Sequence, residues 1–260
     1  MRVSASLTAC AVLTLLPAAA AVSATGSAPS SPSAPAAAAG QVAIVQAVPG
    51  ASVEVAIDGE LVESGVAAGE VLGPYPLSPG NHQVDFTGPD GLDEASTLEV
   101  AAGTNQDLVL HLPATLDGEA VVSTYQTPAE PIGPGKARVL VAHTATVAPA
   151  DVRVDGTVVF SNIANGEFAT ADVPAGEHVV ALLPTGQDTD PILGPLTVTL
   201  ASRTVTMVYA IGNPDDGSMS LVSHAAALAP DGSVVPTKID TGSAGLAADI
   251  RVTPFGGPLS

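Results

Sequence analysis

The chain has 260 residues, a formal net charge of −19, one Cys and no Trp. That length allows one or two domains. The charge disfavours nucleic acid and anionic lipid as partners, and a lone cysteine excludes an internal disulfide or a thiolate metal cluster.

In chain order, Met1-Arg2 and the Ala/Leu/Val-rich run from Ala5 to Ala24 predict a secretory signal peptide over 1–24. Small-x-small cleavage sites stand near Ala20 and Ala24. "LTAC" (Leu7 to Cys10) has the form of a lipoprotein box, but the apolar run continues past Cys10, so lipidation is not expected. Removal of 1–24 would leave a mature chain with no thiol. Residues 25–40, "TGSAPSSPSAPAAAAG", cannot bury a core and read as a disordered spacer. "LPAT" (Leu112 to Thr115) is followed by Leu116 instead of Gly, which argues against a wall-sorting signal. No second apolar run reaches spanning length, so membrane insertion is not expected.

No Lys or Arg occurs between Val3 and Gly135, and 41–126 carries thirteen acids. Such a surface suits cations, basic partners or solubility.

"SVEVAIDGELVESGVAAGE" (Ser52 to Glu70) is echoed ninety-seven positions later by "PADVRVDGTVVFSNIANGE" (Pro149 to Glu167). Asp58-Gly59 falls on Asp155-Gly156, and Gly69-Glu70 on Gly166-Glu167. After a one-residue slip, "SPGNHQV" from Ser78 meets "PAGEHVV" from Pro174. The pattern predicts a tandem duplication. Its units are 41–126 and 136–226, joined by a semi-stiff Pro-rich linker over 127–135, with a flexible tail over 227–260.

Each unit reads as about eight short strands. "RVLVAH" and "DVRV" are strand-like, Asp155-Gly156 is a two-residue hairpin turn, and "TVVFSN" is the return strand. "HVVALL" follows the Pro-x-Gly turn, and "GPLTVTLASRTVTMVYAIG" gives two strands about Ala201-Ser202. "NPDDGS" is a tight turn before the last strand. The expected fold is all-β: two tandem small antiparallel β-sandwiches, immunoglobulin-like or transthyretin-like, with the strand order open. Two beads on a short stiff link is the expected arrangement.

The segment "ARVLVAHTATVAPADVRVDGTVVFSNIANGEFATADVPAGEHVVALLPTG" resembles the bacterial domain-of-unknown-function family 4397. The likeness lies in a V-x-H start, a strand ending in D-G, a G-E connector and a P-A-G turn. The second unit is the clearer match, and in the first, Gln46 stands where the family has His. The resemblance implies exported envelope proteins with β-sandwich repeats. It implies no activity, and no functional residue can be carried over.

Reactive constellations are weak. "IDTGSAGL" from Ile239 has the aspartic-protease signature, but that chemistry needs two facing aspartates. One D-T-G is present, at Asp240, with seventeen residues after Ser243. The histidines 82, 111, 143, 178 and 224 show no zinc spacing. His82 and His178 follow the same turn in both units, which suggests a structural role, and His143 is placed to bond its own loop. Calcium is the better metal candidate, with Asp151, Asp155, Asp215, Asp216 and "GPDGLDE" (Gly88 to Glu94) near turns, though no D-x-D-x-D-G loop exists. Asp and Gly also form turns without metal. Sugar stacking would fall to Tyr75, Tyr125 and Tyr209 alone, and Tyr209 reads as core. No nucleophile elbow or phosphate loop occurs.

No catalytic, cofactor-binding or metal residue is therefore assigned, and no cofactor is expected. The reading is a secreted, non-enzymatic, envelope-associated binding, spacer or adhesion module with an unidentified extracellular partner. The alternatives are an acidic calcium-binding exported protein and an unrecognised hydrolase. Oligomeric state is left open.

Overall fold

The computed structural model describes residues 37–115, 118–235 and 253–254. The expected signal peptide over 1–24, nearly all of the expected spacer and the Asp240 motif lie outside the described residues.

The first half has eight strands: β1 Gly40–Gln46, β2 Ser52–Ile57, β3 Glu60–Ala67, β4 Val71–Leu77, β5 Gly80–Thr87, β6 Asp93–Val100, β7 Asn105–His111 and β8 Val121–Gln126. The second has β9 Lys136–His143, β10 Ala150–Val154, β11 Thr157–Ile163, β12 Phe168–Pro174, β13 Gly176–Pro184, β14 Leu193–Leu200, β15 Thr204–Ile211 and β16 Ser220–Leu228. Two-residue strands β17 Val234–Val235 and β18 Thr253–Pro254 extend its sheets. No helix among the described residues is long and apolar enough to cross a membrane.

Sheet orders are β4-β1-β7-β8 and β3-β2-β5-β6 in the first half. In the second they are β12-β9-β15-β16-β17 and β11-β10-β13-β14-β18. The first eight strands of each half thus follow one order. An immunoglobulin sandwich puts its first two strands in one sheet; here they lie in opposite sheets, which leaves the transthyretin-like alternative. The sheets are antiparallel except for one parallel pair in each half, β1 with β7 and β9 with β15.

Local chemistry sets the turns. Asp58-Gly59 and Asp155-Gly156 all have positive φ, as a two-residue hairpin of this twist requires. Each aspartate then braces the next hairpin. Asp155 Oδ1 accepts from the Val179 amide at 2.9 Å, and its Oδ2 lies 2.7 Å from His178 Nδ1. Asp58 does the same for the Gln83 amide and His82. The G-E connectors close by a glutamate accepting a backbone N–H, Ala67 to Glu70 and Ala164 to Glu167.

Strands with alternating residues pack their sheets face to face. Val42, Ile44, Val55, Phe86, Leu98 and Leu108 share the first core. Ala150, Val152, Ile163 and Leu182 lie in the second.

Two expectations need correction. The halves are not separate beads: a third cluster joins Val45, Val109 and Tyr125 of the first to Leu140, Met207, Tyr209 and Val222 of the second. These residues occupy the outer faces of two sheets, which is why β1, β7, β9 and β15 are buried on both sides. The linker, expected to be semi-stiff, is seated against the second half. Arg138 binds Asp172 in a two-pronged pair and donates to the Glu130 carbonyl at 2.8 Å. Gly232 packs so tightly on Glu130 and Pro131 that a Cβ there would lie 2.3 Å from their backbone atoms. Finally, residues 227–235 are not tail: β16 runs to Leu228, and β17 pairs back on Ala227 and Leu228.

Candidate functional site

Equivalent positions follow from the shared registers. Ile44 faces Leu108 as Val141 faces Val208, and Val42 faces Tyr75 as Val139 faces Ala171. Val55 faces Phe86 as Val152 faces Leu182. His82 faces Leu98 as His178 faces Val198, and Gln46 faces Leu110 as His143 faces Ala210. At these places the second half carries the smaller side chain: Val141 for Ile44, Ala171 for Tyr75, Leu182 for Phe86, Val198 for Leu98, Val208 for Leu108 and Ala210 for Leu110. Leu200 in place of Val100 only partly offsets the loss.

Two sheets held at the usual spacing cannot collapse onto shorter side chains, so space remains between them. A cavity of about 90 Å³ lies there, lined by the residues just named and by Val139, Val154, Val173, Val180 and Leu196. Water reaches these walls. Val139, Val141, Val154, Val180 and Val208 are only half-buried, whereas Val42, Ile44, Val84 and Leu108 are 0 % exposed. Val159 of edge strand β11, 40 % exposed, sits on the rim, and Ala171 and Val173 come from edge strand β12. β11 and β12 are edge strands of opposite sheets, and both contribute to the lining.

Two polar side chains line it, His178 and Ser223. Both ring nitrogens of His178 are engaged, by Asp155 and by the Pro174 carbonyl at 2.8 Å. Burial lowers its affinity for a proton, but the Asp155 and Pro174 bonds outweigh that and raise it above the ordinary imidazole value. The Ser223 hydroxyl has no hydrogen-bond partner among the described residues. The arrangement encloses apolar matter, and Ser223 alone offers a free polar atom.

The junction between the halves holds the other buried polar groups. Asp107 of β7 is 2 % exposed, where its counterpart in the other half is Met207. It accepts from the Tyr209 hydroxyl and pairs with His224 Nε2. Burial disfavours charge on His224, but the Asp107 carboxylate more than compensates and raises its proton affinity. Burial and that same carboxylate push the Tyr209 hydroxyl well above its usual range. Tyr125 meets Phe168 edge-on at 5.7 Å and Tyr209 at 5.6 Å. Two of the three tyrosines are thus consumed by the junction, and Tyr75 packs on the first core. The sequence marks this contact only by its unbroken apolar runs.

Most of the other described residues singled out by sequence make local hydrogen bonds. His111 bonds the Leu112 carbonyl and Ser123, and burial lowers its proton affinity. His143 bonds the Ala148 carbonyl at 3.3 Å, as its loop position suggested, while its Nδ1 has no partner among the described residues. Gln46 does the corresponding work through Val48 and Ala51. Asp151 accepts from the Asn162 and Gly186 amides, and Asp216 from Ser218. The Asp215 amide donates to Asn213. Pro89–Gly91 is a 3-10 turn. Among the described residues, no three His, Cys, Asp or Glu are placed to hold a metal ion.

Residues 40–150 match the model of a family described as Domain of unknown function (DUF4397). The match covers the first half and reaches the start of β10, whereas the motifs made the second half the clearer resemblance. Both halves share the D-G, G-E and Gly-x-His features, which include the turn and brace residues described above. No curated protein matches the chain.

Proposed function

We propose that the chain is an exported, non-catalytic binding module of the bacterial envelope, built by duplication of one β-sandwich, with the second copy opened to receive a ligand. The observation that carries this reading is the cavity of the second half. It is solvent-reached and apolar, and its one histidine has both ring nitrogens engaged. Apolar enclosures with a few placed polar groups are the usual form of a binding pocket. Catalysis would need a free acid or base or an activated nucleophile, and the Ser223 hydroxyl has no base hydrogen-bonded to it among the described residues. Export is supported by the leader-like start and the Ser/Ala/Pro spacer, and an envelope station by the family resemblance.

Fractionation of the producing cells tests the reading. The mature protein is expected in the washed envelope fraction, resistant to high salt. Free release into the medium would contradict the envelope assignment. Turnover of a defined substrate by the purified chain would contradict the non-catalytic one.

A further inference from the structure

We propose that the second-sandwich cavity binds a slender, uncharged aliphatic chain ending in one hydrogen-bonding group, such as a medium-chain primary alcohol. This deepens the binding reading and rests on it.

Shape and chemistry both select the ligand. The walls come from every strand between edge pair β11/β12 and the far pair β14/β16. At the usual strand spacing that path is roughly 14 Å long. About 90 Å³ spread over such a length is narrow. A polymethylene chain can thread such a long, thin space, whereas a flat ring needs more width than it offers. The lining holds no unpaired charge to meet an ionised head group, so desolvating one there would be costly. Ser223 lies on β16, at the end of the lining away from β11 and β12, with its hydroxyl unpartnered among the described residues. A purely hydrocarbon ligand would displace water and strand that hydroxyl. A ligand whose far end can hydrogen-bond keeps it satisfied.

Methyl-resolved NMR titration of the mature chain with 1-hexanol, hexanoate and benzene is the test, with two variants. Ala210→Leu places in the cavity the side chain that the first half has at Leu110. Ser223→Ala removes the hydroxyl alone. Saturable shifts of Val139, Val180 and Val208 methyls by 1-hexanol are expected, with hexanoate at least tenfold weaker. Ala210→Leu is expected to abolish binding while raising the melting temperature, which shows that the fold is intact. Ser223→Ala is expected to weaken 1-hexanol binding about fivefold, the loss of one neutral hydrogen bond. Binding by benzene but not 1-hexanol, or Ser223→Ala binding unchanged, would overturn the ligand class and leave the binding reading standing. No saturable shift with any probe, or full binding by Ala210→Leu, would overturn the site itself.

Discussion

The two sandwiches share a strand order, hairpin turns and Asp–His braces, and differ in what fills them. The first closes on Phe86, Leu98, Leu108 and Leu110; the second has Leu182, Val198, Val208 and Ala210 at the same registers. The framework is therefore held by turns and edges, and tolerates removal of core volume. What repeats between the halves is architecture. What does not repeat is where the cavity and the junction lie.

The comparison breaks hardest at its filled side. Phe86→Ala is expected to cost about 3–5 kcal/mol, since it empties a closed core. Leu182→Ala, at the same register beside existing space, is expected nearer about 2 kcal/mol. Denaturant unfolding of the two variants checks the order, and equal costs would contradict the contrast. The junction comes next. Wild type is expected to unfold in one transition, because the halves share a cluster. Tyr209→Phe leaves buried Asp107 with one donor fewer and is expected to cost about 1–3 kcal/mol. Ala210→Leu is expected to stabilise by about 0.5–2 kcal/mol, as cavity filling commonly does.

The smallest effect concerns the braces. The Asp58 bond holds His82 above the ordinary imidazole value of 6.5, and the His82 bond holds Asp58 below 3.8. The histidine contribution is complete below pH 6.5 and is lost as pH rises through the raised folded value. The carboxylate contribution is complete above pH 3.8 and is lost as pH falls through the depressed one. The stability gap between wild type and His82→Gln is therefore expected to be widest between those values and to narrow toward alkaline pH. His178→Gln is expected to follow the same curve, with binding as an added readout. Working with differences matters because buried His111 and His143, whose proton affinity is lowered, pull the opposite way below pH 6.5.

Much of the fold was legible. Asp-Gly turns, the Pro-Ala-Gly turn at Pro174 and short apolar runs mark hairpins through local chemistry and predict β9, β10, β11, β13, β14, β15 and β16. β12 was not singled out, because "FATADVP" is an edge strand with little apolar content. The strand order depends on which sheet each hairpin joins, which no local pattern encodes. The junction left one trace. "QVAIVQ" and "TVTMVYAI" are apolar at consecutive positions, the mark of strands buried on both faces. That signal outweighs the proline-rich linker, which suggested independence. The cavity is written in the sequence only as a difference between aligned halves, Leu110 against Ala210 and Tyr75 against Ala171. Its meaning depends on the registers that bring those residues to one wall.

The most direct measurement is methyl NMR of the unliganded chain under xenon pressure, since xenon enters apolar cavities without needing polar partners. Shifts confined to the second half, at Val139, Val180, Val208 and Ala210, with silent Val42, Val84 and Leu108, are the expected result. Equal shifts in both halves, or none in either, would contradict the claim that one sandwich is filled and its twin is open.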